Sequence, residues 1–396
     1  MTYPERTLVT GAGLAGLRTV AELRKRGYAG RITLLGAEDR APYDRPPLSK
    51  TVLTEGVDPS LEADFAALDA EFRPGEAAAG LDGRTVLTEQ GEYAFDHLVI
   101  ATGALPGALP GPGGQRFLRT YDDALALRAR LRPDLRLVIV GAGWIGAELA
   151  TAAVAAGVSV TVVEAGPVPL AAALPADVGG QTARWYADAG VELRTGTPVA
   201  SVEAGGLALA GGEWLAADEI VTAIGVRPAV GWLDGSGVAL ADGVPAGGVA
   251  VDSGLRTSLP GVYAVGDCAA FWSELFGTRI RVEHWDTALH APEVVAANIL
   301  GGSEAYDPVP YFWSQQFGRM LQYVGHHGAG DELVWRGDPA GEEWTACWLS
   351  GDRLTAVLAV GRPRDMLQGR RLIAGRAVVD RARVADPAIP LKSALA

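Results

Sequence analysis

The chain has 396 residues, 48% of them apolar and 20% charged, enough for roughly two or three folded domains and against wholesale disorder. Its net charge of −13, from 47 acidic and 34 basic residues, opposes nucleic-acid binding. Two cysteines far apart, Cys268 and Cys347, exclude a disulfide framework and a four-cysteine iron–sulfur cluster; five histidines show no metal-ligand spacing, so no metal is expected.

In chain order, Arg6 to Thr10 reads as a short strand that runs into Gly11-Ala-Gly13-Leu-Ala-Gly16. Helical spacing follows at Leu14, Leu17, Val20, Ala21 and Leu23, with Gly27 as a stop. A second strand, Arg31 to Leu35, leads to Glu38 and completes a βαβ unit. Next come the proline-rich segment Pro42-Tyr-Asp-Arg-Pro-Pro-Leu-Ser-Lys50 and a strand from His97 that ends in Ala101-Thr-Gly103. The Gly/Pro-rich stretch from Leu105 to Gly114 reads as a domain crossing. The βαβ pattern then returns. Arg136 to Val140 leads into Gly141-Ala-Gly143-Trp-Ile-Gly146, an alanine-rich helix follows to about Ala156, and Val158 to Val163 ends at Glu164. The apolar run 149–163 is broken by Thr151, Gly157, Ser159 and Thr161, too short and polar for a bilayer span. With no secretory pattern at the start, a cytoplasmic protein without membrane attachment is expected. Strands ending in glycine recur at Glu219–Gly225 and before Gly266-Asp267. From Phe312 onward, short Trp-, Tyr- and Val-rich strands suggest an antiparallel C-terminal domain.

Each glycine loop follows a strand and opens a helix, and a carboxylate stands about 20 positions beyond it, Glu38 after the first and Glu164 after the second. The first glycine makes the turn, the second admits a pyrophosphate, and the third lets helix and strand pack closely. The helix N-terminus holds phosphate charge and the carboxylate accepts from ribose hydroxyls. Two dinucleotides are therefore expected. Asp267, just past a strand end, suits a polyol such as a ribityl chain.

Over nearly its whole length the sequence resembles the FAD-dependent, NADH-using ferredoxin reductases of bacterial oxygenase systems, the putidaredoxin and rubredoxin reductase group. The matching residues are the first glycine loop, Pro42 to Lys50, Ala101-Thr-Gly103, Leu118-Arg-Thr120 and Gly141 to Glu148. Further on they are Gly266-Asp-Cys-Ala269, Arg281-Val-Glu-His-Trp285, Pro310-Tyr-Phe-Trp313 and Gly361-Arg-Pro-Arg364. The resemblance implies an α/β fold with two Rossmann-like dinucleotide-binding domains arranged as in glutathione reductase. An NAD domain (112–240) interrupts a split FAD domain (1–111 and 241–311), and a small α+β C-terminal domain (312–396) follows.

By the same resemblance, Gly11, Gly13, Leu14, Ala15 and Gly16 cradle the FAD pyrophosphate, with Ala37 and Glu38 at the adenosine ribose. Arg45, Lys50, Ala78, Thr102, Gly103, Arg119 and Gly266 also approach FAD, Asp267 takes the ribityl chain, and Trp285 meets the isoalloxazine. Gly141, Gly143, Ile145, Gly146, Glu148, Glu164 and Gly225 are the candidates for NADH, with Glu148 orienting the nicotinamide amide. No catalytic side chain is expected beyond the flavin, which passes electrons from NADH one at a time to a two-iron ferredoxin and so to an oxygenase. An ion pair between Lys50 and Glu148 is expected because an isolated buried charge is costly. The chain departs from the family pattern at Gly107, Asp286, Thr287, His290, Pro292 and Gln315.

Two other readings share this fold. A disulfide reductase or NADH oxidase relative would want a redox cysteine in the first FAD segment, and residues 30–60 contain none. A redox-sensing flavoprotein like apoptosis-inducing factor would keep the cofactor residues but turn over slowly.

Overall fold

The computed structural model describes residues 5–241 and 247–396; residues 1–4 and 242–246, which fall in the two predicted parts of the FAD domain, lie outside the described residues. The elements that position the sites are β1 (Arg6–Thr10), α1 (Leu14–Lys25), β2 (Arg31–Leu35), β3 (Ala70–Arg73), β4 (His97–Ile100), β5 (Arg136–Val140), α2 (Trp144–Ala155), β6 (Ser159–Val163), β7 (Glu192–Arg194) and β8 (Glu219–Thr222). They continue with β9 (Val262–Ala264), α3 (Trp285–Ile299), β10 (Tyr311–Gln316), β11 (Arg319–Gly325), β12 (Glu332–Arg336), β13 (Trp344–Ser350), β14 (Arg353–Val360) and α4 (Pro363–Ala374).

The chain divides into two units, each built from three separated segments. The first comprises 1–44, 60–105 and 227–310; the second comprises 45–59, 106–226 and 311–396.

The first unit holds a parallel sheet in the order β9-β4-β1-β2-β3. Its central strands are buried over most of their length because both faces are covered, and Val9, Leu34, Leu98, Val99 and Ile100 are sealed in one core. Helix α1 packs on α3. Residues 227–241 belong here, although the sequence places the passage back into the FAD domain at 240/241. Ala229 holds them, donating from N–H to the Gly103 carbonyl at 2.9 Å and accepting from Thr102 Oγ1 at 2.8 Å, and Leu233 and Val238 enter the core.

The second unit holds a parallel sheet in the order β7-β6-β5-β8 and an antiparallel sheet in the order β10-β11-β14-β13-β12. The α/β class and the C-terminal antiparallel sheet are as the sequence implies. Three further features of the division differ. The first crossing falls at 105/106 rather than 111/112, because Pro110 and Gly113 bond through their backbones to Val202. Residues 45–59, predicted in the FAD domain, join this unit because Leu53 enters the core with Leu127, Leu149 and Ala153. The C-terminal sheet, predicted as a separate domain from 312, begins at Tyr311 and shares a core with the NAD-type body: Leu170, Leu174 and Trp185 pack with Trp344, Trp348 and Leu358.

Candidate functional sites in the two units

In the first unit, the loops beyond the C-terminal ends of β1, β2, β4 and β9 gather at one edge of the sheet, where α/β folds bind their ligands. Gly11 sits at φ +107, and a Cβ there would lie 2.2 Å from the Ala101 carbonyl oxygen, so only glycine fits. A Cβ on Gly16 would lie 1.9 Å from the Gly11 oxygen, which is the close helix–strand approach the third glycine supplies. Helix α1 opens at Gly13 with no side-chain cap, leaving its first-turn N–H groups, on Leu14, Ala15 and Gly16, to a phosphate. Thr102, Gly103, Gly266 and Asp267 follow β4 and β9 on the same edge. Ala37 and Glu38 follow β2; the Tyr43 hydroxyl donates to Glu38 Oε2 at 2.7 Å. Ala78 packs half-buried against this core, and the Trp285 indole N–H donates to Asp44 Oδ1 at 2.9 Å.

His284 precedes Trp285 and is partly buried. Burial pushes its imidazole down to about 4, against the smaller opposing pull of Asp267, so it is neutral at pH 7. The unfolded chain, near 6.5, binds the proton first, so stability is lost as pH falls through the window from about 6.5 to about 4. The expected loss is on the order of 3 kcal/mol. Urea midpoints measured across that window check it: His284→Gln should flatten the slope, and an unchanged slope would refute the assignment.

The second unit repeats the same geometry. Gly141 lies at φ +106 with its Cβ position 2.4 Å from the Ala223 oxygen, and α2 opens at Gly143 without a side-chain cap. Among the described residues nothing lies within 4 Å of a Cβ on Gly143, the space a pyrophosphate needs. Glu164 is held by two backbone donors, Ala142 N–H on Oε2 at 2.8 Å and Gly166 N–H on Oε1 at 2.7 Å. Ile145 is 44% exposed beside the loop, and Gly225, at φ +92, accepts from Gly107 N–H at 2.9 Å.

Glu148, 4% exposed one turn into α2, is the most densely bonded carboxylate of this unit's candidate residues. Oε2 accepts from Lys50 Nζ at 2.6 Å and Ser49 Oγ at 2.5 Å; Oε1 accepts from Ser314 Oγ at 2.7 Å and Gln315 N–H at 3.3 Å. The expected ion pair is present. Ser49, Ser314 and Gln315 are hydrogen-bond partners of this carboxylate that the sequence does not assign. Ser49 lies inside the quoted Pro-rich motif, whereas no spacing signal points from Glu148 to Ser314. The same strand is stapled further along α2, where Phe317 N–H donates to Thr151 Oγ1 at 2.9 Å.

The predicted site residues thus fall into two groups. Arg45, Lys50 and Arg119, which the resemblance assigns to FAD, belong to the second unit rather than to the first with the remaining FAD candidates. Lys50 is there because Glu148 binds it; Arg119 N–H bonds to the Asp123 carboxylate at the start of a helix of that unit.

Both thiols are sealed. Burial pushes Cys268 up to about 11 and Cys347 up to about 12, which keeps them as unreactive thiols at neutral pH. Among the described residues no group of side chains could hold a metal ion, and no helix is long and apolar enough to cross a membrane.

Residues 5–291 match the family described as pyridine nucleotide-disulphide oxidoreductase, and residues 311–395 match the reductase C-terminal family. The ferredoxin–NAD(+) reductase component of the anthranilate 1,2-dioxygenase system of Burkholderia cepacia is 36% identical over 405 residues, covering 98% of both chains. The crystal structure of Fdr9 superposes with a TM-score of 0.93 at 51% identity, covering 98% of this chain and 99% of that one. The covalent putidaredoxin reductase–putidaredoxin complex gives a TM-score of 0.92 at 30% identity, over 99% of this chain and 98% of that one.

Proposed function

The chain belongs to the pyridine nucleotide-disulphide oxidoreductase family and ends in a reductase C-terminal domain, and from that premise we propose a cytoplasmic NADH-dependent ferredoxin reductase. FAD on the first glycine loop and NADH on the second are the cofactors of this reading, and a two-iron ferredoxin serving an oxygenase is its acceptor. One observation carries it: a single chain holds two glycine loops, each opening an uncapped helix after a parallel strand and each followed by a carboxylate beyond the next strand, while both thiols are sealed. Sealed thiols disfavour the disulfide-reductase reading.

FAD, when bound, accepts a hydride from NADH and releases the electrons singly. The chain supplies binding and orientation. The N–H groups of Leu14, Ala15 and Gly16 face one pyrophosphate, and the open loop at Gly143 the other. Glu164 takes ribose hydroxyls. Glu148, fixed by four donors, orients the nicotinamide amide.

The test is NADH-driven reduction of a purified two-iron ferredoxin, followed by loss of its visible absorbance after reconstitution of the protein with FAD. Fast reduction supports the reading. Slow turnover with a long-lived flavin–nicotinamide charge-transfer band would favour a redox sensor instead.

Helix α4 offers a docking face. Seven arginines lie between 362 and 383, and on α4 Arg364, Leu367 and Arg371 are exposed at a helical spacing of three and four. Arg362 is engaged by Asp365 at 2.7 Å and Arg381 by Glu332 at 2.6 Å, so Arg364 and Arg371 of the stripe are the ones to reverse. Arg364→Glu/Arg371→Glu is expected to raise the ferredoxin KM about tenfold at low ionic strength, with the gap closing in salt. An unchanged KM at low salt places docking elsewhere.

A further inference from the structure

The loop between β2 and β3 carries two side-chain hydrogen bonds that the glycine fingerprint does not explain. Tyr43, 5% exposed, donates from its hydroxyl to Glu38 Oε2 at 2.7 Å. Its neighbour Asp44 accepts from the Trp285 indole N–H at 2.9 Å, across 241 positions of sequence. The loop is anchored independently: Leu61 N–H donates to the Pro42 carbonyl at 2.9 Å, and Tyr43 forms an antiparallel bridge with Ser60. Successive side chains of extended backbone point to opposite sides, so adjacent residues of one short segment reach two separate groups.

Those groups are Glu38, at the adenosine-ribose end of the proposed FAD site, and Trp285, at the isoalloxazine end. A carboxylate that accepts a charge-assisted bond from a buried phenol is restricted in plane and rotamer, and an indole tied to a carboxylate is restricted likewise. We propose that Tyr43 and Asp44 are positioning residues, a brace from one loop that presets both ends of the cofactor site. This rests on the reading that the first glycine loop holds FAD. Neither residue is assigned contact with the cofactor; each acts through the side chain it holds.

The experiment titrates apoprotein with FAD by quenching of flavin fluorescence, with thermal unfolding of the apoprotein as a check on the fold. Tyr43→Phe and Asp44→Ala should each weaken FAD binding about 10- to 150-fold, the range for one hydrogen bond to a charged group. Asp44→Asn keeps an oxygen that accepts the indole N–H and should restore affinity to within about threefold. A merely structural role is separated by epistasis: Asp44→Ala should have no further effect in a Trp285→Phe background, nor Tyr43→Phe in a Glu38→Ala background. If wild-type protein binds FAD and the single variants bind it equally well, the brace is refuted. It is refuted also if Asp44→Ala is as costly without the Trp285 indole as with it. Wild-type apoprotein that takes up no FAD overturns the cofactor reading itself, and the brace falls with it.

Discussion

Glu148→Ala is expected to destabilise the second unit by about 3–5 kcal/mol, the cost typical of removing one partner of a buried ion pair. Four donors converge on this carboxylate. Without it, Lys50 keeps, among the described residues, only the Pro46 carbonyl at 3.2 Å and Ser49 Oγ at 3.4 Å, and its side chain is 18% exposed. Glu148→Gln should cost about half as much. An amide has one acceptor oxygen, which can serve Lys50 and Ser49, while its NH2 meets Ser314, whose hydroxyl can turn to accept, and Gln315 N–H, which cannot. Lys50→Met should be milder than Glu148→Ala, because Ser49, Ser314 and Gln315 still solvate the charge. The double variant Lys50→Met/Glu148→Leu should recover part of the loss, since removing both partners leaves no buried charge behind. Guanidinium unfolding midpoints of the four variants and wild type decide it. A Glu148→Ala midpoint equal to wild type would show that the network does not hold the unit together.

What the sequence shows and what it hides follows from the range of each interaction. Both βαβ units were legible because their signals are local. Apolar runs such as Leu8–Val9 and Val138–Val140 form central parallel strands, and Gly11 and Gly141 take the positive φ that a tight turn against a neighbouring strand requires. The Glu148 cluster was half legible. Its pairing with Lys50 followed from the cost of an isolated charge, but Ser314 and Gln315 arrive from the C-terminal sheet, and no pattern along the chain marks a hydroxyl as a partner of a carboxylate 166 positions away. Segment 45–59 was assigned to the first domain by its place in the chain. The structure gives it to the second because Leu53 and Lys50 find their partners there. Tyr43 and Asp44 stood inside a quoted motif without a role, since Glu38 and Trp285 meet them only once the sheet has formed.

The proposed reductase should prefer NADH over NADPH by about 30- to 1000-fold in kcat/KM, and the structure strengthens the argument beyond Glu164 itself. With both oxygens held by backbone donors, the Glu164 carboxylate cannot swing away from a 2′-phosphate placed at the end of β6. Its charge already acts on its surroundings, helping burial to push the Tyr186 phenol up. An NADP site would set an arginine against that phosphate, but residues 165–177 contain no Arg or Lys. The next two arginines after this stretch are committed elsewhere. Arg184 donates to the backbone carbonyls of Ala340 and Gly341, the latter at 2.6 Å, and Arg194 pairs with Glu192 at 2.7 Å and Glu213 at 2.6 Å. Repulsion combined with an unpaired phosphate should amount to about 2–4 kcal/mol, which is the stated ratio. The measurement compares the two coenzymes with a saturating artificial acceptor. Glu164→Gln should narrow the gap about tenfold, chiefly by improving NADPH, because it removes the repulsion and keeps an acceptor for the ribose. A wild-type ratio near one would mean that Glu164 does not meet the ribose, and would remove the second glycine loop's carboxylate from the coenzyme site.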